Sequence, residues 1–255
     1  MSWISALFGT LAGLMIGSFI GVIGERWPRG EQAVRGRSRC DSCGRTLRVT
    51  EMVPLVSYMM QRGRCRRCRA AIPWRLPLVE MLAGTIGGLV FGLAQEPMDF
   101  VWAVFGWILL ALALLDMRAL WLPDRLTYPL IAAGLLVGAL KGEALLALTG
   151  AAIGWASLFL TAVLYERLRG RRGLGGGDPK LFAGIGAWLG PGALPLVLLI
   201  AALSGLVAAL GLKLAGHDVG QATKLPFGTL LALGVAGEIA FALVYAPPAF
   251  SIPLF

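Results

Sequence analysis

Apolar residues dominate the chain in eight blocks that are separated by polar connections. The blocks fall near residues 3–24, 77–95, 98–115, 126–140, 144–164, 179–190, 192–212 and 227–246. A helix needs roughly 20 consecutive apolar residues to cross the hydrocarbon core of a bilayer, so several of the blocks are short for a span. The pattern predicts an all-α, polytopic membrane protein with about eight transmembrane helices.

Composition supports the same class of protein. Of the 255 residues, 57% are apolar and only 15% are charged, and the mean hydropathy is +0.76. Soluble globular domains carry more charge and fewer apolar residues than this. A soluble domain is therefore excluded, and the lipid bilayer is the first expected partner.

The basic residues are distributed very unevenly among the connections. If the first block runs outward to inward, the inner connections are 25–76, 116–125, 165–180 and 213–226, and they hold 22 of the 23 Lys and Arg residues. The positive-inside rule then predicts that these connections lie in the cytoplasm. The net charge of +9 is mainly a topology signal, and nucleic-acid binding is not expected because the basic loop lacks interleaved aromatic residues.

Residues 25–76 are predicted to form a small cytoplasmic domain between a first transmembrane helix at 1–24 and a multi-helix membrane domain at 77–255. The chain's four cysteines fall there as two CxxC pairs, Cys40 with Cys43 and Cys65 with Cys68. Two such pairs can complete a closed tetrahedral site for structural zinc. Two disulfides are the alternative, but the basic loop places the cysteines on the reducing side of the membrane.

Two aspartates at the ends of apolar blocks are candidate catalytic residues, because carboxylates near lipid are rarely without a function. Asp116 ends one block, and Asp178 follows three glycines and begins another. Two carboxylates that share a proton can activate a water and protonate a leaving group, as in aspartic proteolysis. The alternatives are surface pairing of Asp116 with Arg118 and helix capping by Asp178.

Two further acids lie near the same predicted boundary. Asp124 opens an apolar block, where it either supports the site or is simply favoured by the dipole at a helix N-terminus. Glu80 lies inside an apolar block, where a carboxylate at the helix centre costs about 2.5–3.5 kcal/mol. Glu80 therefore needs a partner, and a substrate contact and a structural link to an arginine of the loop are both open.

An ordered set of motifs resembles the type IV prepilin peptidases, which are polytopic aspartic proteases of the GxGD kind. The resemblance covers most of the chain. The matching segments are Gly17-Ser18-Phe19, the double CxxC with Pro54-Leu55-Val56-Ser57-Tyr58 between its halves, Pro77-Leu78-Val79-Glu80, Asp116 with Leu122-Pro123-Asp124, Gly175-Gly176-Gly177-Asp178-Pro179-Lys180-Leu181, and Pro226-Phe227-Gly228. One departure is Thr229, which stands where a proline often follows in the family.

The resemblance implies an enzyme of the bacterial inner membrane that clips the short basic leader from type IV prepilins or type II secretion pseudopilins at the cytoplasmic face. It further implies methylation of the new N-terminus with S-adenosylmethionine. Asp116 and Asp178 take the catalytic roles, and the four cysteines bind the metal. Gly175, Gly177, Lys180, Asp124 and Glu80 are expected to support the site or contact substrate.

Two other classes of protein are compatible with parts of the pattern. In a proton-coupled transporter the two aspartates would relay protons, but this leaves the CxxC pairs and the glycine run unexplained. In a zinc-bearing membrane scaffold, replacing both aspartates would leave function unchanged.

Overall fold

The computed structural model describes residues 3–33, 37–171, 173–217, 220 and 224–245. Parts of the predicted loop domain, of the connections at 165–180 and 213–226, and of the last apolar block lie outside the described residues. Eight α-helices are present in the described part of the chain. They are α1 (Trp3–Arg26), α2 (Val56–Met60), α3 (Arg75–Leu93), α4 (Val101–Ala119), α5 (Asp124–Leu140), α6 (Ala144–Arg169), α7 (Asp178–Leu214) and α8 (Phe227–Tyr245).

The prediction of an all-α membrane protein is confirmed, and the number of spans is close to the predicted eight. Six helical stretches in the described residues are long and apolar enough to cross a membrane. They are Trp3–Arg29, Arg75–Leu93, Pro97–Ala119, Ala144–Arg169, Asp178–Leu214 and Phe227–Tyr245. The multi-pass character of the chain follows from them.

The difference in number has two causes. Helix α5 has only 17 residues, which is short for a complete span. The predicted blocks at 179–190 and 192–212 are two arms of α7, which is broken at Gly190, where φ is +71° and ψ is 175°. That backbone geometry is essentially restricted to glycine, so the pattern located the break although the two arms count as one helix.

The chain divides into two compact units, residues 1–111 and 112–255. In the first unit, α1 and α3 meet along small residues. A Cβ at Gly13 would overlap the carbonyl oxygen of Ala83, and a Cβ at Gly17 would lie 2.7 Å from the Cα of Glu80. Close backbone approach through small residues is the usual way in which membrane helices associate.

In the second unit, glycine contacts also fix the order of the helices. Helix α6 runs against the first arm of α7, since Gly150 meets Gly186 and Gly154 meets Phe182. Helix α5 runs in the same direction as that arm, because Gly184 contacts Leu130 and Gly134 contacts Trp188. The parallel course places the first residues of α5 and α7, Asp124 and Asp178, at the same end of this unit.

Candidate active site and metal centre

Four acidic side chains are buried in the described part of the chain, and two of them have evident structural partners. Glu51 is paired with Arg45 at 2.7 Å. Asp99 accepts hydrogen bonds from the backbone amides of Gln95 and Glu96 at 2.9 and 3.0 Å and so holds the turn before α4.

The other two buried acids are Asp116 and Asp178, which are 4% and 6% exposed. Neither has a basic partner among the described residues. Buried carboxylates without a compensating cation are costly. They are therefore the strongest candidates for chemistry in the second unit.

Asp116 lies in the last turn of α4 and is held by the N-terminus of α8. Its Oδ2 accepts a hydrogen bond from the backbone amide of Thr229 at 2.9 Å. The hydroxyl of Thr229 donates to the carbonyl oxygen of Ala113, also at 2.9 Å. Because Ala113 lies one turn before Asp116 on the same helix, Thr229 fixes both the helix end and the carboxylate.

Asp178 is the first residue of α7, and it forms two hydrogen bonds to Gly175 in the glycine run before the helix. Its Oδ2 accepts a hydrogen bond from the backbone amide of Gly175 at 2.9 Å, and its own amide donates to the Gly175 carbonyl at 3.3 Å. Capping was the alternative interpretation of this residue. The carboxylate does bond the local backbone, but it bonds the loop before α7 and leaves its second oxygen for other partners.

Leu122 lies in the short connection between α4 and α5. It is next to Gly177, which precedes Asp178, and next to Gly228, which is close to Asp116. A Cβ at Gly177 would lie 2.7 Å from the Cβ of Leu122. A Cβ at Gly228 would lie 3.1 Å from both a methyl carbon of Leu122 and the Oδ2 of Asp116. The absent side chains at these two glycines thus let the loops come together, and the charges of Asp116 and Asp178 are close enough to interact.

Asp124 and Lys180 form a more exposed pair at the same end of the unit. The Nζ of Lys180 donates to Oδ1 of Asp124 at 2.6 Å and lies 5.0 Å above the ring of Tyr128. Asp124 is also the first residue of α5, so the dipole interaction expected of it is compatible with its position. The pair ties the start of α5 to the start of α7.

Glu80 has a partner in the loop, as its position inside a helix requires, although that partner is not an arginine side chain. Its Oε2 accepts a hydrogen bond from the backbone amide of Leu55 at 2.8 Å. Leu55 has a φ of +59°, and the amide of Val56 donates to the carbonyl of Pro54 at 2.6 Å. This is the classic γ-turn, which is rare and strained, and Glu80 stabilises it.

The two CxxC pairs lie in two copies of one hairpin, 25 residues apart. In the first hairpin, Arg39 and Thr46 form an antiparallel β-bridge, and the amide of Gly44 donates to the carbonyl oxygen of Cys40. In the second hairpin, Arg64 and Ala71 form the same bridge, and the amide of Arg69 donates to the carbonyl oxygen of Cys65. The turn residues Gly44 and Arg69 both have positive φ, at +67° and +60°. Each hairpin presents two thiols in the same way.

The four thiols converge on one point. All four sulfurs lie within 4.8 Å of one another, none forms a disulfide, and the sulfurs of Cys40 and Cys68 are 3.8 Å apart. Tetrahedral zinc with bonds of about 2.3 Å separates its sulfur ligands by about 3.8 Å. The cluster can therefore hold a metal ion, and its geometry fits zinc.

The electrostatics of the thiols also suit a cation. Backbone amides of Cys68 and Arg67 lower the pKa of Cys65 to about 6. The amide of Ala70 acts in the same direction on Cys68, but burial and the neighbouring thiols prevail and raise its pKa to about 11. Four thiolates this close repel one another, and a bound metal ion removes that repulsion.

Glu51 connects the two hairpins, a role that was not predicted from the sequence motifs. It accepts hydrogen bonds from Arg45 of the first hairpin and from the backbone of Arg48 at 2.7 and 2.9 Å. Arg66 of the second hairpin lies 3.9 Å away. The Arg45 guanidinium and the Arg48 amide hold the pKa of Glu51 below its usual value. An acid standing alone among arginines between the CxxC pairs is the signal that could have revealed it.

Comparisons with known proteins agree with this description. Residues 11–93 match the family model of the bacterial peptidase A24 N-terminal domain, and residues 103–210 match that of the type IV leader peptidase family. No solved structure matches the chain.

Curated relatives share the name prepilin leader peptidase/N-methyltransferase. The protein from Burkholderia pseudomallei (strain K96243) is 39% identical over 92% of this chain and 84% of its own length. The proteins from Aeromonas salmonicida (strain A449) and Neisseria gonorrhoeae are 36% and 34% identical, over 94% and 90% of this chain and 91% and 87% of their own lengths. The resemblance seen in the motifs is confirmed, and the chain belongs to the type IV leader peptidase family.

Proposed function

We propose that this protein cleaves the short basic leader from type IV prepilins or pseudopilins, with Asp116 and Asp178 as the catalytic residues. The proposal rests on the burial of both carboxylates close to Leu122. Neither carboxylate has a basic partner among the described residues. The names of the relatives support the choice of substrate. The family gives no support to a proton-coupled transporter.

The reaction follows from two carboxyl groups that share one proton. The ionised carboxylate takes a proton from a water molecule, whose oxygen attacks the carbonyl carbon of the scissile peptide bond. The protonated carboxyl group gives its proton to the departing amine as the carbon–nitrogen bond breaks. Because the pair titrates jointly, it acts as one unit. The amides of Thr229 and Gly175 hold one oxygen of each acid.

The supporting residues have positions that suit their proposed roles. Gly175 donates directly to Asp178, and Gly177 leaves the space that Leu122 occupies. Lys180 and Asp124 fix the starts of α5 and α7 relative to each other. Glu80 holds the loop through the backbone amide of Leu55. We further propose that Glu80 contacts the substrate.

We also propose a structural metal ion, a second activity and a cellular location for this protein. The four cysteines would hold structural zinc, which has no open position for chemistry and orders the loop. The enzyme would also transfer a methyl group from S-adenosylmethionine to the new N-terminal amine, as the relatives' names suggest. The basic connections favour the inner membrane, with the loop and the active site in the cytoplasm.

Cleavage of a purified prepilin in liposomes, at matched enzyme concentration, tests the peptidase. Asp116→Asn and Asp178→Asn keep the size of each side chain but remove its ionisable proton. Each is expected to lower cleavage by orders of magnitude, and the double variant is expected to be no worse, because the pair acts as a unit. Asp124→Asn should cause a smaller loss.

Asp41→Asn is the matched control, since Asp41 is an exposed acid of the loop. It should cleave at the wild-type rate. Near-wild-type turnover by either Asp116→Asn or Asp178→Asn would refute the aspartic mechanism. Intact-mass measurement of the product, with S-adenosylmethionine supplied, tests the methyl transfer; a persistently unmethylated product would restrict the enzyme to proteolysis.

A further inference from the structure

Helix α2 carries an exposed apolar face at a place where the chain leaves the membrane helices. Val56, Met59 and Met60 lie on one side of α2, at positions i, i+3 and i+4, and are 46%, 67% and 68% exposed. On another side, Tyr58 contacts Gly63 at the start of the second hairpin. The methionine face is therefore the side of α2 that the loop domain leaves uncovered.

The bond between Glu80 and Leu55 sets the depth of α2. Helix α3 begins at Arg75, so Glu80 lies about 7.5 Å along the helix axis from its first residue. The residue just before α2, Leu55, donates its amide to Glu80 at 2.8 Å. The loop thus contacts the second turn of a helix that is long and apolar enough to span a membrane, and α2 lies beside the beginning of that candidate span.

The charge of the same segment complements an anionic surface. Residues 53–75 contain six arginines and no acid. Five of these arginines are exposed and form no ion pair within the described residues, namely Arg62, Arg64, Arg67, Arg69 and Arg75. Apolar side chains flanked by arginine are the composition of segments that lie in a membrane interface and attract anionic headgroups.

From these three observations we propose that α2 is an interfacial anchor, with Val56, Met59 and Met60 inserted among the lipid chains and the neighbouring arginines on the phosphates of anionic phospholipids. The occupant of the methionine face is lipid, because Glu80 draws α2 into the membrane boundary. The inference is independent of the catalytic role of the aspartates.

The test uses the full-length protein in nanodiscs of phosphatidylcholine alone or mixed with phosphatidylglycerol. A spin-labelled unnatural amino acid is placed at Met59, since a cysteine label would compete with the metal ligands. The control label is at Ser42, an exposed residue of the first hairpin. Collision with oxygen reports lipid exposure, and collision with a soluble nickel chelate reports water exposure; retained metal shows that the loop is folded.

The label at position 59 is expected to be several-fold more accessible to oxygen than to nickel, with the opposite ratio at position 42. Phosphatidylglycerol should move the label at position 59 deeper into the bilayer. In the double variant Arg62→Asn/Arg75→Gln, the depth of the label should no longer depend on phosphatidylglycerol. Equal nickel accessibility at positions 59 and 42 would overturn the proposal. Shielding of position 59 from both reagents would assign the face to a protein contact instead, and depth without a phosphatidylglycerol effect would refute the role of the arginines.

Discussion

The backbone amide of Thr229 donates to the carboxylate of Asp116 across 2.9 Å and 113 positions of sequence. The residue that departs from the family's motif is thus the one that orients a candidate catalytic acid. A proline at this position has no amide hydrogen to donate. In this chain the start of α8 therefore takes a direct part in holding the end of α4.

Substitutions of Thr229 can distinguish the role of its hydroxyl group from that of its backbone amide. Thr229→Val keeps the amide and the shape but removes the bond to the Ala113 carbonyl, a loss of about 1 kcal/mol. We expect kcat for prepilin cleavage to fall about fivefold, with KM nearly unchanged. Thr229→Ser keeps the hydroxyl and should restore most of the rate. Equal rates for the valine and serine variants would show that the hydroxyl has no positioning role.

The glycine run offers a paired test of the space around Leu122. In Gly177→Ala the new methyl group would lie 2.7 Å from the Cβ of Leu122, whereas nothing lies within 4 Å of a Cβ at Gly176. Overfilling a close contact costs about 1–3 kcal/mol. Gly177→Ala should therefore lose most of the cleavage activity, while Gly176→Ala retains it. Similar activities for both variants would contradict the close approach at Gly177.

Removal of the metal should unfold the loop and leave the membrane helices intact. Of the four cysteines in the two hairpins only Cys65 is buried, so metal binding is expected to supply most of the folding free energy of the hairpins. Purified protein should hold close to one zinc per chain, and Cys40→Ser should lose it together with slow hydrogen exchange in residues 37–75. A fully protected loop in metal-free protein, or two disulfides in place of the metal, would contradict the assignment.

Glu51 should matter to the metal although it is not a ligand. Glu51→Gln leaves Arg45 without its anionic partner and removes the negative charge that lies between Arg45 and Arg66. We expect zinc to be released at lower chelator concentration, because the two hairpins are no longer tied by charge. Glu31→Gln is the matched control, since Glu31 and Arg39 are both exposed and exposed pairs contribute little. Identical chelator titrations for the two variants would refute the linking role.

The local features of the fold could be read from the sequence, whereas the contacts between distant residues could not. Apolar blocks and CxxC spacing depend on neighbouring residues, so the helices and the convergence of the thiols were predictable. The end of one predicted block at Gly190 even marked the break in α7. Thr229 and Leu122 act through partners that only folding brings near, and a backbone amide, such as that of Leu55, carries no signature in the residue type. Glu51 is recognisable in the sequence as the acid between the CxxC pairs, but its approach to Arg66 of the second hairpin is not.

The contact between Gly150 of α6 and Gly186 of α7 constrains how this protein can change during evolution. A Cβ at either position would overlap the carbonyl oxygen of the other residue. Substitution at one position cannot be compensated at the other, because both are already the smallest residue. The two glycines should therefore be retained in descendants of this chain even where the surrounding lipid-facing residues diverge freely.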